Sequence, residues 1–478
     1  MIAVNQRLTI RIRLQILLLA VALASAPNAL AQTPSPSPQT FTLDQAMQYA
    51  LDHYPTVRAA LEQVNVFTAG VSVAKAAYLP RLDSLWQSNR ATVNNIFGQV
   101  LPQSVIPAMS GPVLPETSSG SVWGSAVGAL FSWEPLDFGL RGATVSAAEA
   151  GIARARAGEE LTRLDVQAAV AATFLSVAGA QRTVNALQAD LDRRDVLARA
   201  VHTLVDNQLR PGAEASRTDA ERAAAQTRLI QAQEAVSLGQ ISLARLLGVS
   251  SGVVAIDSTA LADRVPEVEG GGAAVTHPLT QLHQAAVDAA KAQEGVLAKT
   301  DLPRLYLQSS LFARGSGAHP NGELDGGLGG LGLDRANWAA GIQVVFPNAF
   351  DFTSLRARKA AAAASTRSET ALLDEAALTV TSQQQTAAAM LQAARAIAAN
   401  TPVQLTAAQQ TESQARARYQ AGLASIVEVA DAQSLLAQAE VQDQLARIDV
   451  WRALLAQAVA HGTLAPFLAA ATPSAGVR

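Results

Sequence analysis

The stretch Gly327-Leu-Gly-Gly-Leu-Gly332 matches the dinucleotide-binding fingerprint letter for letter, and Gly329 to Asp334 matches one turn of a calcium-binding nonapeptide repeat. The first pattern does chemistry only where a strand ends at it, a helix opens from it and an acid follows about 20 residues on. The second needs tandem copies, and there is one. Both lie between two alternating segments, so an exposed loop accounts for them better. Cysteine is absent, which removes disulfides, thiolate nucleophiles, Cys-zinc sites, iron-sulfur clusters and a lipid carried on cysteine. The six histidines (53, 202, 277, 283, 319 and 461) never fall at i, i+4, as a helical metal pair requires. No nucleophile elbow, P-loop or zincin pattern occurs, and Glu159-Glu160 reads as a solvated pair. Neither an enzyme nor a bound cofactor or metal is expected. Glu428 and Asp431, at i, i+3, share one helix face; taken alone they are solvated carboxylates that pair with Arg416 or Arg418.

Charge points away from polyanions. With 36 Lys+Arg against 39 Asp+Glu over 478 residues, the net charge of −3 gives no reason to expect a nucleic acid partner. Hydrophobic residues make up 49 % but aromatics only 4 %, so the apolar content is small and Ala-rich, which suits closely packed helices. Residues 1–31 read as a secretory signal: Arg7, Arg11 and Arg13, an apolar run from Leu14 to Ala26, then Ala29-Leu30-Ala31 before Gln32. That run is short of the ~20 residues a membrane span needs. The mature chain is therefore expected to be exported without a transmembrane helix, and to enter a membrane only as a closed β-barrel. Residues 32–40, with Thr33-Pro-Ser-Pro-Ser-Pro38, form an extended linker.

The elements that must position any site come in two copies. His53-Tyr54-Pro55 precedes Leu79-Pro80-Arg81-Leu82 as Thr276-His277-Pro278 precedes Leu302-Pro303-Arg304-Leu305. Pro135-Leu136-Asp137-Phe138 answers to Pro347 with Asp351-Phe352, and Arg210-Pro211-Gly212 is aligned with Gln420-Ala421-Gly422. Equivalent positions in two copies usually serve architecture, so His53 and His277 read as structural. The first repeat covers 41–250, an inter-repeat linker 251–275, the second repeat 276–462 and a tail 463–478.

Each repeat opens on a helix; Thr42-x-x-Gln45 is a capping box, and Pro55 marks an early break. Alternating segments then predict strands over 82–101 and 121–134, and over 304–315 and 337–347, joined by Pro- and Gly-rich loops at 102–120 and 315–336. Trp123, Trp133, Trp338 and Phe346 are the candidate aromatic girdle of membrane-crossing strands. Four strands cannot close a barrel, since the smallest closed membrane barrels have about eight. Several chains must pool them. Long helical hairpins follow, over 140–247 and 354–461, turning near 209–212 and 420–422; a helix of some 66 residues runs roughly 100 Å. Pro402 is expected to kink or break the second long helix, with Thr401 as cap.

The doubled order resembles the TolC-like outer-membrane efflux protein family. The resemblance rests on Phe41-Thr42-Leu43-Asp44-Gln45-Ala46, Tyr54-Pro55, Tyr78-Leu79-Pro80-Arg81-Leu82, Pro135-Leu136-Asp137-Phe138-Gly139 and Arg418-Tyr419-Gln420-Ala421-Gly422-Leu423-Ala424-Ser425-Ile426, and covers about 41–462. It implies a mainly α fold with a small β part: a homotrimer with a twelve-stranded barrel among outer-membrane lipids, and an α-helical tunnel through the periplasm. The implied function is the exit duct of a tripartite efflux or type I secretion system, with a periplasmic adaptor and an inner-membrane pump as partners. Leu209, Arg210, Pro211, Gly212, Tyr419, Gly422 and Leu423 would then meet the adaptor, and Glu428 and Asp431 would ring the tunnel's closed end. Two departures stand out. The family places an acid six positions after the first turn's glycine, whereas Asp219 is seventh after Gly212, which puts the lock between hairpins in doubt; Ala424 stands where some members carry a base.

The competing reading is a periplasmic coiled-coil adaptor. It would have one hairpin flanked by small β-domains, whereas this chain has two hairpins and two isolated strand pairs.

Overall fold

A computed structural model describes residues 40–92, 100–107, 119–249, 254–262, 266, 276–319, 321–347 and 351–471. The signal assigned to 1–31 and the linker assigned to 32–40 lie outside the described residues except for Thr40, which pairs with Ala255 as the first residue of β1. The elements in chain order are β1 (Thr40–Phe41), α1 (Leu43–His53), α2 (Pro55–Ala76), β2 (Arg81–Thr92), β3 (Ser121–Leu136), α3 (Leu140–Asp206) and α4 (Gly212–Leu246). They continue with β4 (Ala255–Ile256), α5 (Thr259–Ala262), α6 (Pro278–Lys299), β5 (Arg304–Ser316), β6 (Arg335–Val345), α7 (Phe352–Gln420), α8 (Ile426–Ala460) and α9 (Ala465–Ala471).

The caps explain the boundaries. Thr42 and Gln45 form the expected capping box of α1, and Pro55 and Pro278 occupy the first turns of α2 and α6, where a missing N–H costs nothing. His277 caps α6: its Nδ1 accepts from Leu279 N, and its Nε2 meets the Val459 carbonyl at 3.0 Å. His53 instead lies flat on Tyr49. The two histidines stand at matching places but hold the chain by different contacts.

β2, β3, β5 and β6 form one antiparallel sheet in that order, so β2 and β6 are open edges within the chain. Of the first strand, expected over 82–101, β2 is described as far as Thr92, residues 93–99 lie outside the described residues, and residues 100–107 pack back onto the sheet. Register shifts between Trp133 and Leu136, where Pro135 has no N–H to give the ladder. One face presents Leu82, Trp86, Leu311, Trp338 and Ile342 to solvent, each at least 66 % exposed. The Gly-rich stretch 327–332 lies between β5 and β6 with no helix opening from it, so it is not a dinucleotide loop. Its glycines permit close approach: a Cβ on Gly330 would stand 2.0 Å from the Trp123 carbonyl oxygen, while Ser125 Oγ donates to the Gly330 and Leu331 carbonyls.

α3 and α7 run 67 and 69 residues, about 100 Å each, and pack against α4 and α8 as two hairpins. α3 is the organising rod, touching α1, α2, α4, α6 and α8. It is the one described helix with an 18-residue window apolar enough to cross a membrane. That apolar stretch is explained by packing: Val166, Val170, Phe174, Leu175 and Val177 are buried with Met47, Leu243, Ile448 and Trp451 in the main core. The break expected at Pro402 does not occur. α7 continues through it, and Thr401 is no cap; its hydroxyl donates to buried Asp443 of α8, which Arg447 also pairs at 3.1 Å. The tail expected after 462 forms α9, whose Phe467 meets Trp451 edge-on at 6.1 Å.

Sheet and helices are joined by a pinned corner. Phe138 and Gly139 both take positive φ, which turns the chain from β3 into α3. Asp137 holds the turn by accepting from Gly139 N and Arg141 N, and its carboxylate pairs with the Arg141 guanidinium at 2.9 Å. Arg141 stacks on Tyr78 and donates to Ala77 O, and Trp133 Nε1 donates to Tyr78 O. Burial pushes the Asp137 carboxyl upward, but the two backbone N–H groups and Arg141 outweigh it and leave it below 3.8. Its stabilisation is therefore fully present above about pH 4 and fades as pH falls through that lower value. Asp137→Ala should cost about 1.5–3 kcal/mol, read as earlier thermal unfolding at pH 7 in detergent, and the gap between variant and wild type should close on acidification.

Candidate functional site

The two hairpin tips use one backbone design. At the end of α3, Leu209 N donates to Leu204 O and Gln208 N to Val205 O, with Gln208 at φ 62°. At the end of α7, Leu423 N donates to Arg418 O and Gly422 N to Tyr419 O, with Gly422 at φ 76°. Both are Schellman closures. Leu209 and Leu423, the residues that close them, are nevertheless 68 % and 71 % exposed at the two tips.

This geometry corrects the alignment of the turns. Gln208 corresponds to Gly422 and Gly212 to Ile426, 214 positions apart, and α4 and α8 are both 35 residues long. Gly212 is the first residue of α4, after Pro211 at the cap position, and supplies no positive φ. Counted from Gln208, the acid six positions on is Glu214, the counterpart of Glu428. Asp219, which the sequence pointed to, instead meets His202 within the first hairpin at 3.0 Å. The deviation was concealed because the left-handed position of the first turn holds glutamine.

Glu214 joins the hairpins. The Tyr419 hydroxyl donates to Glu214 Oε2 at 2.6 Å, the Arg210 guanidinium lies 4.8 Å over the Tyr419 ring, and Arg210 Nη2 donates to the Tyr419 carbonyl. Tyr419 is buried with Val201, Ala215, Ile426 and Val429, and Ala424 packs on this small tip core. Arg210 is the counterpart of Ala424, so a base does serve the tip, from the other hairpin. Glu428 is N3 of a capping box with Ser425 and pairs Arg418 at 3.6 Å; Asp431 is exposed one turn further on.

About 27 Å above the tip, at 1.5 Å per residue, a second set of charges ties α3, α4 and α8. Asp190 and Arg194 are buried, with Arg194 Nε shared between both Asp190 oxygens at 3.0 and 3.1 Å. Arg194 also donates to Glu221 and Ser434, and Arg228 reaches Asp190 at 3.4 Å. Arg193 makes a two-pronged contact with Glu440 of α8 at 3.0 and 2.6 Å. A buried pair so fully satisfied fixes one arrangement of the hairpins. Sequence reading missed it; its signal was Asp190 and Arg194 at i, i+4.

At the sheet, Trp123, Trp133, Trp338 and Phe346 all fall on the exposed apolar face, with Trp123 and Trp338 toward the loop end and Trp133 and Phe346 toward the helices. Trp86, 74 % exposed on that face, was not among the expected aromatics, because Ser84, Ser88 and Arg90 dilute the apolar alternation of β2.

Burial and Glu214 push the Tyr419 hydroxyl up to about 12, against a smaller opposing effect of Arg210. A raised value means that the tip contact is fully present below pH 10 and is lost as pH climbs through about 12. The absence of native cysteine allows spin labels at Leu209→Cys and Leu423→Cys. Their distance distribution should stay narrow to pH 10 and widen above it, while Tyr419→Phe should widen it at neutral pH, by removing about 1.5–3 kcal/mol of hydrogen bond to a charged partner.

No curated protein sequence matches the chain. Among solved structures, the outer membrane protein VceC of Vibrio cholerae is similar with 19 % identity and a TM-score of 0.68, over 88 % of this chain and 96 % of that one. The CmeC outer membrane channel of Campylobacter jejuni shares 16 % identity with a TM-score of 0.69, over 88 % and 85 %. The MtrE outer membrane channel of Neisseria gonorrhoeae shares 18 % with a TM-score of 0.65, over 88 % and 89 %. These likenesses establish a common fold of long helical hairpins and a small sheet. The sequence model of the outer membrane efflux protein family matches residues 46–249 and 273–462, both repeats nearly whole, and the chain belongs to that family.

Proposed function

We propose that three copies of this chain close a twelve-stranded barrel in the outer membrane and continue as a helical tunnel through the periplasm, forming the exit duct of a tripartite efflux system. The observation that carries this reading is the sheet: four antiparallel strands, two unpaired edges within the chain and an outer face on which Leu82, Trp86, Leu311, Trp338 and Ile342 are exposed, interrupted on β2 by Ser84, Ser88 and Arg90. In a bilayer every strand edge must be paired, and β6 of one subunit against β2 of the next is the closure this order permits. The helices leave a second unpartnered surface. Ile230, Leu238 and Ile241 of α4 and Leu378, Ile397 and Val403 of α7 are each at least 55 % exposed. Neighbouring subunits would cover these side chains in a tunnel wall.

Membership of the family places the protein at the outer membrane, reaching into the periplasm. The finer roles are our reading. Leu209 and Leu423, exposed at the two Schellman turns, together with Arg210, Pro211, Gly212, Tyr419 and Gly422, form the surface that receives a periplasmic adaptor, with an inner-membrane pump beyond it. Glu428 and Asp431, repeated in three subunits, ring the tunnel near its tip and attract cations. The periplasmic adaptor reading has no place for a four-stranded apolar sheet.

Purified in mild detergent, the chain should migrate as a trimer and carry ionic current in planar bilayers; a monomer without conductance would overturn the proposal. Glu428→Ala with Asp431→Ala should weaken divalent-cation block of that current by about tenfold or more, the weight of one lost charge-assisted contact; unchanged block would remove these residues from the gate. Leu209→Asp with Leu423→Asp should leave the trimer intact and abolish co-purification with the cognate adaptor.

A further inference from the structure

Arg314 and Arg335 are direct partners in the β5–β6 ladder, so their Cβ atoms stand about 5 Å apart. Like charges directly opposed are destabilising. Neither guanidinium has a hydrogen bond or ion pair among the described residues. Alternation puts both on the face opposite Leu311, Trp338 and Ile342, and they sit at the loop end of the sheet, away from the helices.

The same face carries a strap. Residues 100–107 fold back so that Ile106, 3 % exposed, packs on Ala126 and Phe312, with Leu85 and Val100 beside them. Gln103 locks the turn: its Oε1 accepts from the Val105 and Ile106 N–H groups and its Nε2 donates to Ile106 O at 2.8 Å. Gly128 is spoken for by this contact, since a Cβ there would meet Phe312 Cβ at 3.0 Å and Ile106 Cγ1 at 3.1 Å. Ala126 is the ladder partner of Arg314, which brings the strap next to the arginine pair.

On the barrel reading proposed above, on which this inference rests, the face opposite the lipid lines the lumen. We infer that the outer mouth is a second constriction, narrowed by the strap 100–107 and ringed by Arg314 and Arg335, and that it binds multivalent oxyanions. Three subunits contribute six guanidinium groups there. A narrow mouth with low-dielectric walls focuses their field, and the planar fork of Arg suits phosphate-type oxygens. The repulsion within each pair is then relieved by the bound anion. The duct would carry opposite charge at its two ends, acidic at the helical tip and basic at the outer mouth.

The test uses the full chain in planar bilayers, with inorganic tripolyphosphate added on the loop side. Wild-type current should be blocked, R314Q with R335Q should need at least about tenfold more tripolyphosphate, and R314K with R335K, which keeps charge but loses the fork, should fall between. Block from the helical side should not change in either variant. Ile106→Gly, which frees the strap, should raise unitary conductance. Equal block in wild type and R314Q/R335Q, with both conducting as trimers, would overturn the anion site, and unchanged conductance in Ile106→Gly would overturn the constriction. Absence of current from wild type and variants alike would instead strike the barrel reading, and this inference with it.

Discussion

A sheet with two open edges and one apolar face cannot rest in a bilayer as four strands. Each unpaired N–H and C=O would face hydrocarbon without a partner, at several kcal/mol apiece. This requirement organises the rest of the molecule. It explains why the chain is written twice, since each repeat contributes a strand pair, and why the outer face of the sheet carries Trp86, Leu311 and Trp338 in the open. It also explains how a chain with few aromatics builds so long a structure: the bulk lies in extended helices whose small side chains let neighbours approach.

Rigidity is distributed unevenly along the length. The main core, around Phe174, Leu243, Ile448 and Trp451, gathers α1, α3, α4, α7, α8 and α9 into one packed body midway along the long helices, about 50 Å from the sheet, and the Asp137–Arg141–Tyr78 corner fixes the helices to the strands. Toward the tip the packing thins to a handful of residues around Tyr419, and polar contacts take over. Apolar packing has no alternative state to offer, whereas a hydroxyl-to-carboxylate contact can be broken and remade. The tip, held by Tyr419 and Glu214 below a firmer tie through Arg193, Arg194 and Asp190, is the most thinly packed part of the hairpins.

The electrostatics of the two ends differ in kind as well as sign. At the tip, Glu214 and Glu428 have arginines within reach while Asp431 is exposed and makes no ion pair among the described residues, so the acidic charge is compensated only in part inside the chain. At the loop end of the sheet, Arg314 and Arg335 oppose each other in the ladder with no ion pair among the described residues to offset the repulsion. Compensated charge sets shape, while uncompensated charge is available to a solute.

Periodicity and punctuation determined the element order and the two hairpins, and the ordered motifs carried the resemblance to the family. These are local properties: alternation marks strands, a capping box such as Thr42 with Gln45 marks a helix start, and a long helical pattern marks a rod. Where the local rule is permissive, only the tertiary structure decided. Gln208 takes a left-handed turn position usually given to glycine, so spacing counted from Gly212 pointed to Asp219 when the contact belongs to Glu214. Pro402 breaks no helix because Thr401 and Asp443 tie that turn of α7 to α8. The strap packed on Ala126 and Phe312 and the charge cluster at Asp190 join residues far apart in sequence. Such contacts leave no periodic trace, because they depend on which faces meet rather than on which residues follow one another.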